Sequence, residues 1–257
     1  MDEAEPQFLE VEGRRIAYRF DEGEPGKAKL IWLPGFLSDM TSTKALAVTA
    51  WARAHGHPML RFDYSGHGLS GGNFLELGIG DWLGEAIAMF EHIGGGKRIV
   101  IGSSMGGWIA LLLARRLAEQ GRSGELAGLV LIAPAWDMTE ILMWRKFSER
   151  RRREVETEGM TYVPSDYGNP YPITKRLIAE GRSHLIENRG FDPGCPVRIL
   201  QGFRDPDVPW QHALALLDLL TGDDVEFTLI KKGDHRLSEP QDLRRLTVTI
   251  ASLTESA

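Results

Sequence analysis

Two periodicities alternate along the chain. Short apolar runs suited to strands are separated by longer stretches in which apolar residues recur every third or fourth position. The strand-like runs fall at 8–11, 14–20, 29–33, 59–62, 98–101, 126–133, 197–201 and 225–230. Several are apolar without interruption, as in Ile99-Val100-Ile101 and Leu129-Val130-Leu131-Ile132, the pattern of strands buried on both faces. Between them the spacing predicts helices over 42–55, 81–92, 106–120, 209–220 and 241–253. In the third, Ile109, Leu112, Leu113 and Leu117 fall on one side. This alternation predicts an α/β fold, an eight-stranded and mostly parallel sheet flanked by helices. The first two runs, joined by Glu12-Gly13, predict a hairpin at the sheet edge.

The rhythm breaks once, over 137–193. These 57 residues hold charged, helix-like sequence followed by a loop rich in Pro, Gly and Tyr. A connection of that length carries structure of its own, so it is expected to be a cap inserted over the strand ends. The domain reading is therefore a core of 1–136 and 194–257 interrupted by a cap of 137–193.

Composition narrows the possibilities. With 42% hydrophobic and 26% charged residues the chain is ordinarily globular, and 257 residues suit one large domain. Thirty basic against 36 acidic side chains, a net charge of −6, argue against a nucleic-acid partner. The single cysteine, Cys195, excludes a disulfide framework or a multi-cysteine metal site and reads as a small buried hydrophobe. The longest apolar run, 126–136, spans 11 residues with Gly128 and Pro134 inside it, too short to cross a bilayer. The acidic start, Met1-Asp2-Glu3-Ala4-Glu5, has no secretory pattern, and a cytoplasmic protein without stable membrane insertion is expected.

The sharpest chemical signal is Gly102-Ser103-Ser104-Met105-Gly106, a G-x-S-x-G pattern directly after an apolar strand and directly before an amphipathic helix. In that context the central serine sits on a tight turn with its hydroxyl exposed, and the glycines remove side chains that would crowd the turn. A serine hydroxyl needs a base and an orienting acid, which follow the serine in chain order in such architectures. Of seven histidines, His235 lies just past the last strand, where a base is expected. Beyond the seventh strand, Arg204-Asp205-Pro206-Asp207-Val208-Pro209 offers two acids. Asp205 follows the strand end closely and is stiffened by Pro206. Asp207 stands two residues before Pro209, where it can equally cap the next helix. Backbone N–H groups of Met105 and Phe36, the latter in Leu33-Pro34-Gly35-Phe36-Leu37-Ser38, are the candidate oxyanion donors.

With these motifs in place, the sequence resembles the α/β-hydrolase superfamily over nearly its whole length. Asp63-Tyr64-Ser65-Gly66-His67-Gly68-Leu69-Ser70 is similar to that family's D-x-x-G-x-G-x-S loop, with His67 structural. Pro34-Gly35 departs from the His-Gly of many relatives, although an N–H donor needs no histidine there. Gly102 to Trp108, Thr43 to Ala47 and Asp205 to Trp210 further resemble the branch of palmitoyl-protein thioesterases and acyl-glucuronide esterases. The resemblance implies a triad of Ser104, Asp205 and His235, an acylated or small-molecule substrate, and no metal or organic cofactor.

The start of the cap is apolar. Trp136, Met138, Ile141, Leu142 and Trp144, with Leu37 from the early loop, either line an acyl pocket or bury the cap on the core. The run 145–153 carries six basic residues in nine and reads as a solvated helix face or an anion attractor. The leading function is hydrolysis of esters or thioesters. Cleavage of C–C or peptide bonds with the same triad, and a non-catalytic binding module, are the alternatives.

Overall fold

The computed structural model describes residues 5–165 and 168–255. The acidic start 1–4 and residues 166, 167, 256 and 257 lie outside it. Ten strands follow in order: β1 (Gln7–Val11), β2 (Arg14–Asp21), β3 (Lys29–Leu33), β4 (Met59–Phe62), β5 (Arg98–Ser103), β6 (Leu126–Ile132), β7 (Met160–Ser165), β8 (Gly168–Thr174), β9 (Val197–Gly202) and β10 (Val225–Ile230). The helices are α1 (Thr43–Ala54), α2 (Ile79–His92), α3 (Met105–Glu119), α4 (Glu149–Glu158), α5 (Lys175–Gly181), α6 (Trp210–Leu214), α7 (Leu216–Leu219) and α8 (Pro240–Thr254).

Eight strands form one sheet in the order β1-β2-β4-β3-β5-β6-β9-β10. The β1–β2 hairpin and the β2–β4 pair are antiparallel, and every pair from β4 to β10 is parallel. All residues of β4, β5 and β6 are buried, as helices on both faces of a parallel sheet require. One face packs against α2 and α3 through residues such as Phe62, Trp82, Trp108 and Leu131. The other packs against α1 and α8 through Leu30, Val48, Ile101, Val130 and Ile250. Because the six central strands run in one direction, the loops that follow β3, β5, β6, β9 and β10 gather at a single edge.

Two expectations change. The helix predicted over 209–220 is two short helices, α6 and α7, which meet at Ala215. The Asp218 N–H donates to the Ala215 carbonyl, three residues back, and the tighter turn lets both Ala213 and Leu216 bury. The Pro- and Gly-rich part of 137–193 is the antiparallel hairpin β7–β8, where a loop was expected. Pro164 and Pro172 conceal it in the sequence, yet a strand with one neighbour has a free edge on which a missing N–H costs nothing. Among the described residues no helix is long and apolar enough to cross a membrane.

The insertion between β6 and β9 opens with a π turn, Met138–Met143, and is clasped at its root by Asp137. This side chain is fully buried, and its carboxylate accepts from the N–H of Ile186 (2.9 and 3.0 Å) and of Glu187 (2.8 Å). Burial pushes its carboxyl up from 3.8 to about 6, with the two amide bonds partly offsetting the rise. A carboxyl raised in the fold favours the folded state in its protonated form. Its contribution is therefore full below about pH 4 and is lost as pH climbs through about 6, a change of about 3 kcal/mol. Melting of the wild type and of Asp137→Asn between pH 4 and 8 is expected to give a gap that shifts in favour of the variant as pH rises. A gap constant with pH contradicts this assignment.

Candidate active site

β5 delivers the chain to Ser104 and α3 begins at the next residue, so the serine occupies the whole turn. Its φ of 54° is left-handed, a strained conformation for a residue with a side chain. Neighbouring contacts hold it there. The Ser104 N–H donates to the Ile132 carbonyl (2.8 Å), and the Ser104 carbonyl accepts from Ala135 (3.1 Å) and Gly107 (2.9 Å). A Cβ on Gly102 would stand 2.3 Å from the Gly106 carbonyl oxygen, and one on Gly106 would stand 2.1 Å from that of Leu33. Both glycines are thus required by the close passage of backbone past backbone.

The loops after β9 and β10 bring the two partners. His235 Nε2 lies 3.0 Å from Ser104 Oγ, and its Nδ1 lies 2.8 Å from Asp205 Oδ2. A carboxylate oxygen accepts, so Nδ1 carries the proton and Nε2 is left to accept the serine O–H. The Asp205 carboxylate is itself fixed. Oδ1 takes the N–H of Asp207 (2.9 Å) and Val208 (2.8 Å), while Oδ2 also takes Gln201 Nε2 (3.1 Å). Gln201 escaped the sequence reading. Its signal was a lone amide at the end of a strand that must be buried, where a polar side chain needs a reason. Asp207 lies at the cavity wall, and its carboxylate is within 4.8 Å of the Asp205 and His235 atoms. These three are the one set of side chains among the described residues close enough to hold a metal ion together, and two of them already bind each other.

Phe36 and Met105 are the two candidate N–H donors beside the serine. Met105 is the first residue of α3, so its N–H has no partner one helical turn earlier. Gly35 passes so near the turn that a Cβ would lie 3.4 Å from that of Ser104. Among the described residues neither the Phe36 nor the Met105 N–H donates to a backbone carbonyl. The loop is braced from behind by Asp63, whose carboxylate accepts from Met40 (2.7 Å) and Leu69 (2.8 Å). His67 is buried against Phe36, Phe74 and Trp82, with Nδ1 3.0 Å from the Ser65 carbonyl, and burial lowers its pKa. It packs and does not face the serine's partner set.

A cavity of about 540 Å³ opens over Ser104. Leu37, Met138 and Leu142 line it, together with Phe36, Met143, Pro164, Asn169 and Tyr171. Trp136, Ile141 and Trp144 are not among the lining residues. Trp136 stacks on His212 at 4.3 Å and exchanges two hydrogen bonds with it, which fixes the exit of β6. Trp144 lies under the Arg182 and Arg152 guanidinium groups. The hairpin residues Pro164, Asn169 and Tyr171 went unforeseen because β7–β8 was not visible as strands. No residue of the basic run lines this cavity: Arg145 forks onto Glu187 (2.9 and 2.6 Å) and Arg150 pairs with Glu154 (3.2 Å). Cys195 is half-buried against the core, and burial pushes its thiol up to about 12, which leaves it unreactive.

The family model described as serine aminopeptidase, S33 (Hydrolase_4) matches residues 24–158. The mouse mitochondrial palmitoyl-protein thioesterase ABHD10 is 34% identical over 243 residues, covering 93% of this chain and 79% of that protein. The chain belongs to the α/β-hydrolase superfamily. A solved putative hydrolase from Agrobacterium vitis S4 superposes on this hydrolase with a TM-score of 0.93 at 42% identity, over 97% of this chain and 98% of that one. The solved mouse alpha/beta hydrolase domain-containing protein 10 gives 0.88 at 33% identity, over 98% and 99%. The ABHD10 proteins are named as mitochondrial, so the cytoplasmic setting expected from the sequence gains no support from them.

The glycine constraint is directly testable. Gly106→Ala is expected to destabilise the hydrolase by about 3 kcal/mol or more in urea unfolding, because the obstructing atom is backbone. Gly124→Ala, with nothing within 4 Å, is expected to change stability by less than about 0.5 kcal/mol. Equal effects at the two positions refute the constraint.

Proposed function

We propose that this hydrolase cleaves acyl esters and thioesters through a covalent acyl-Ser104 intermediate. The observation that carries the reading is the unbroken hydrogen-bonded line Ser104–His235–Asp205 ending on a serine held at φ 54°. Ser104 Oγ attacks the acyl carbon as its proton passes to His235 Nε2. The negative oxygen that forms is received by the N–H groups of Phe36 and Met105. His235 then returns the proton to the departing alcohol or thiol as its bond to the acyl carbon breaks. Water enters, gives a proton to His235 and attacks the acyl group. The second tetrahedral species collapses to free acid, and Ser104 recovers its proton. Asp205 keeps the imidazole in one tautomer and stabilises its cationic form without taking the proton.

The stretch 137–193 serves as a cap in this reading. Its apolar residues Met138, Leu142, Met143 and Tyr171, together with Leu37, give the acyl chain a wall. The thioesterase name of the ABHD10 relatives supports sulfur esters among the substrates. The serine aminopeptidase description of the matching family favours a second reading, peptide-bond cleavage with the same residues.

Rates on matched oxygen esters and thioesters of short and long acyl chains, beside an aminoacyl anilide, test the assignment. Turnover of the acyl series is expected, with Ser104→Ala lowering kcat by about a million-fold and Asp205→Asn by about 10⁴-fold. Asp207→Asn is expected to lose much less, because its carboxylate receives no bond from His235 Nδ1. Turnover of the anilide alone selects the peptidase reading, and full activity in Ser104→Ala overturns both.

A further inference from the structure

His235 belongs to the loop 231–239, and the two sides of this loop are held differently. At its entry backbone meets backbone: the Arg204 N–H donates to the Gly233 carbonyl (2.9 Å), and a Cβ on Gly202 would stand 2.4 Å from the Asp234 carbonyl oxygen. At its exit the turn is closed by a side chain, with Asp234 Oδ1 accepting the Leu237 N–H (3.0 Å). Leu237 has a left-handed φ of 45° and is buried. A residue with a side chain keeps such a backbone only where its surroundings impose it. Helix α1 is part of those surroundings, since its Ala45 and Val48 share a core cluster with Leu237.

Lys44 adds a polar hold from the same helix. From the first turn of α1 its Nζ donates to the carbonyl of Arg236, the residue after the base and 192 positions further along the chain. Lys44 breaks two local preferences in doing so. The N-terminus of a helix favours an acid over a cation, yet the first turn of α1 holds no acid. The ammonium is also half-buried, and its bond goes to a carbonyl rather than to a carboxylate. Departures of this kind from local preference are expected where function demands them.

We propose that Lys44 is a positioning residue for the reaction: by gripping the Arg236 carbonyl it fixes the turn 234–237 and so the place at which His235 Nε2 meets Ser104 Oγ. The inference rests on the reading of Ser104 and His235 as nucleophile and base. Lys44 acts through the loop and needs no contact with the substrate. It faces Asp234 and Arg236 in the loop after β10, Asp205 after β9 and Asp242 on α8; burial, aided by Arg236 and outweighing the three carboxylates, brings its pKa down to about 8. A charged donor makes a hydrogen bond about twice as strong as a neutral one. The grip is therefore full while Lys44 is charged, below about pH 8, and slackens as pH rises through that value.

Rates on phenyl hexanoate and 4-nitrophenyl hexanoate between pH 6 and 10 test the role. Lys44→Met is expected to lower kcat/KM for the phenyl ester about 100-fold at pH 7, the scale of loss for a displaced catalytic group. The 4-nitrophenyl ester is expected to lose clearly less, because its leaving group departs with little help from the proton that His235 returns. In the wild type kcat/KM is expected to decline as pH passes about 8. In Lys44→Arg, whose guanidinium stays charged, the rate at pH 7 is expected to be largely kept and the decline to move to higher pH. Lys231→Met, which removes an ammonium from over the Phe203 ring in the same loop, is expected to change neither rate nor profile. If Lys44→Met does not fold, the Lys44→Arg profile decides alone. Equal losses or none on the two esters, an equal loss in Lys231→Met, or an alkaline decline unmoved in Lys44→Arg overturns the positioning role and leaves the esterase reading standing. Failure of the wild type to cleave either ester overturns the esterase reading and the positioning role with it.

Discussion

The site depends on one close passage of backbone. Where β5 becomes α3, Gly102 and Gly106 pass so near each other and the Leu33 carbonyl that no side chain fits at either. Ser104, between them, is left with a left-handed φ that costs roughly 1–3 kcal/mol and is sustained by its bonds to Ile132 and Ala135. The strain has a geometric return. It leaves the hydroxyl within 3.0 Å of His235 Nε2 at the start of α3, where the helix dipole favours negative charge.

Other contacts follow from that turn. The parallel sheet carries the ends of β3, β9 and β10 to the edge at which β5 ends, so the Phe36 loop, Asp205 and His235 reach Ser104 from three separate connections. Each is then held by a polar contact of its own: Asp63 grips the loop after β3, and Gln201 with two backbone amides grips Asp205. The insertion contributes the apolar wall of the cavity and is clasped at its root by Asp137. A rigid reacting centre is thus combined with a wall built from a separately rooted segment. That division is the one under which acyl specificity can change while the chemistry stays.

All eight strands of the main sheet are legible in the sequence because buried parallel strands leave uninterrupted apolar runs, and Ile99 to Ile101 has no other reading of comparable strength. That Ser104 and His235 come within hydrogen-bond distance is legible, because glycine spacing and chain order both constrain where they lie. The choice of Asp205 over Asp207 is less so, since two carboxylates two residues apart differ only in which reaches the imidazole Nδ1, a fact of loop geometry. The stretch 137–193 resists reading for two reasons. Its strands carry prolines that suit a two-stranded sheet but mimic a loop, and large apolar residues look the same whether they line a cavity, as Met138 does, or pack beneath it, as Trp136 does.

The claim at the centre of this account is that Ser104 becomes covalently acylated. Intact-mass and peptide-mass analysis of the protein, acid-quenched during turnover of a long-chain acyl thioester, tests it directly. The account predicts a mass gain of one acyl group on the peptide containing Ser104, formed at the rate of thiol release and absent in Ser104→Ala. Thiol release with no acylated peptide, or acylation at another residue that persists in Ser104→Ala, would contradict it.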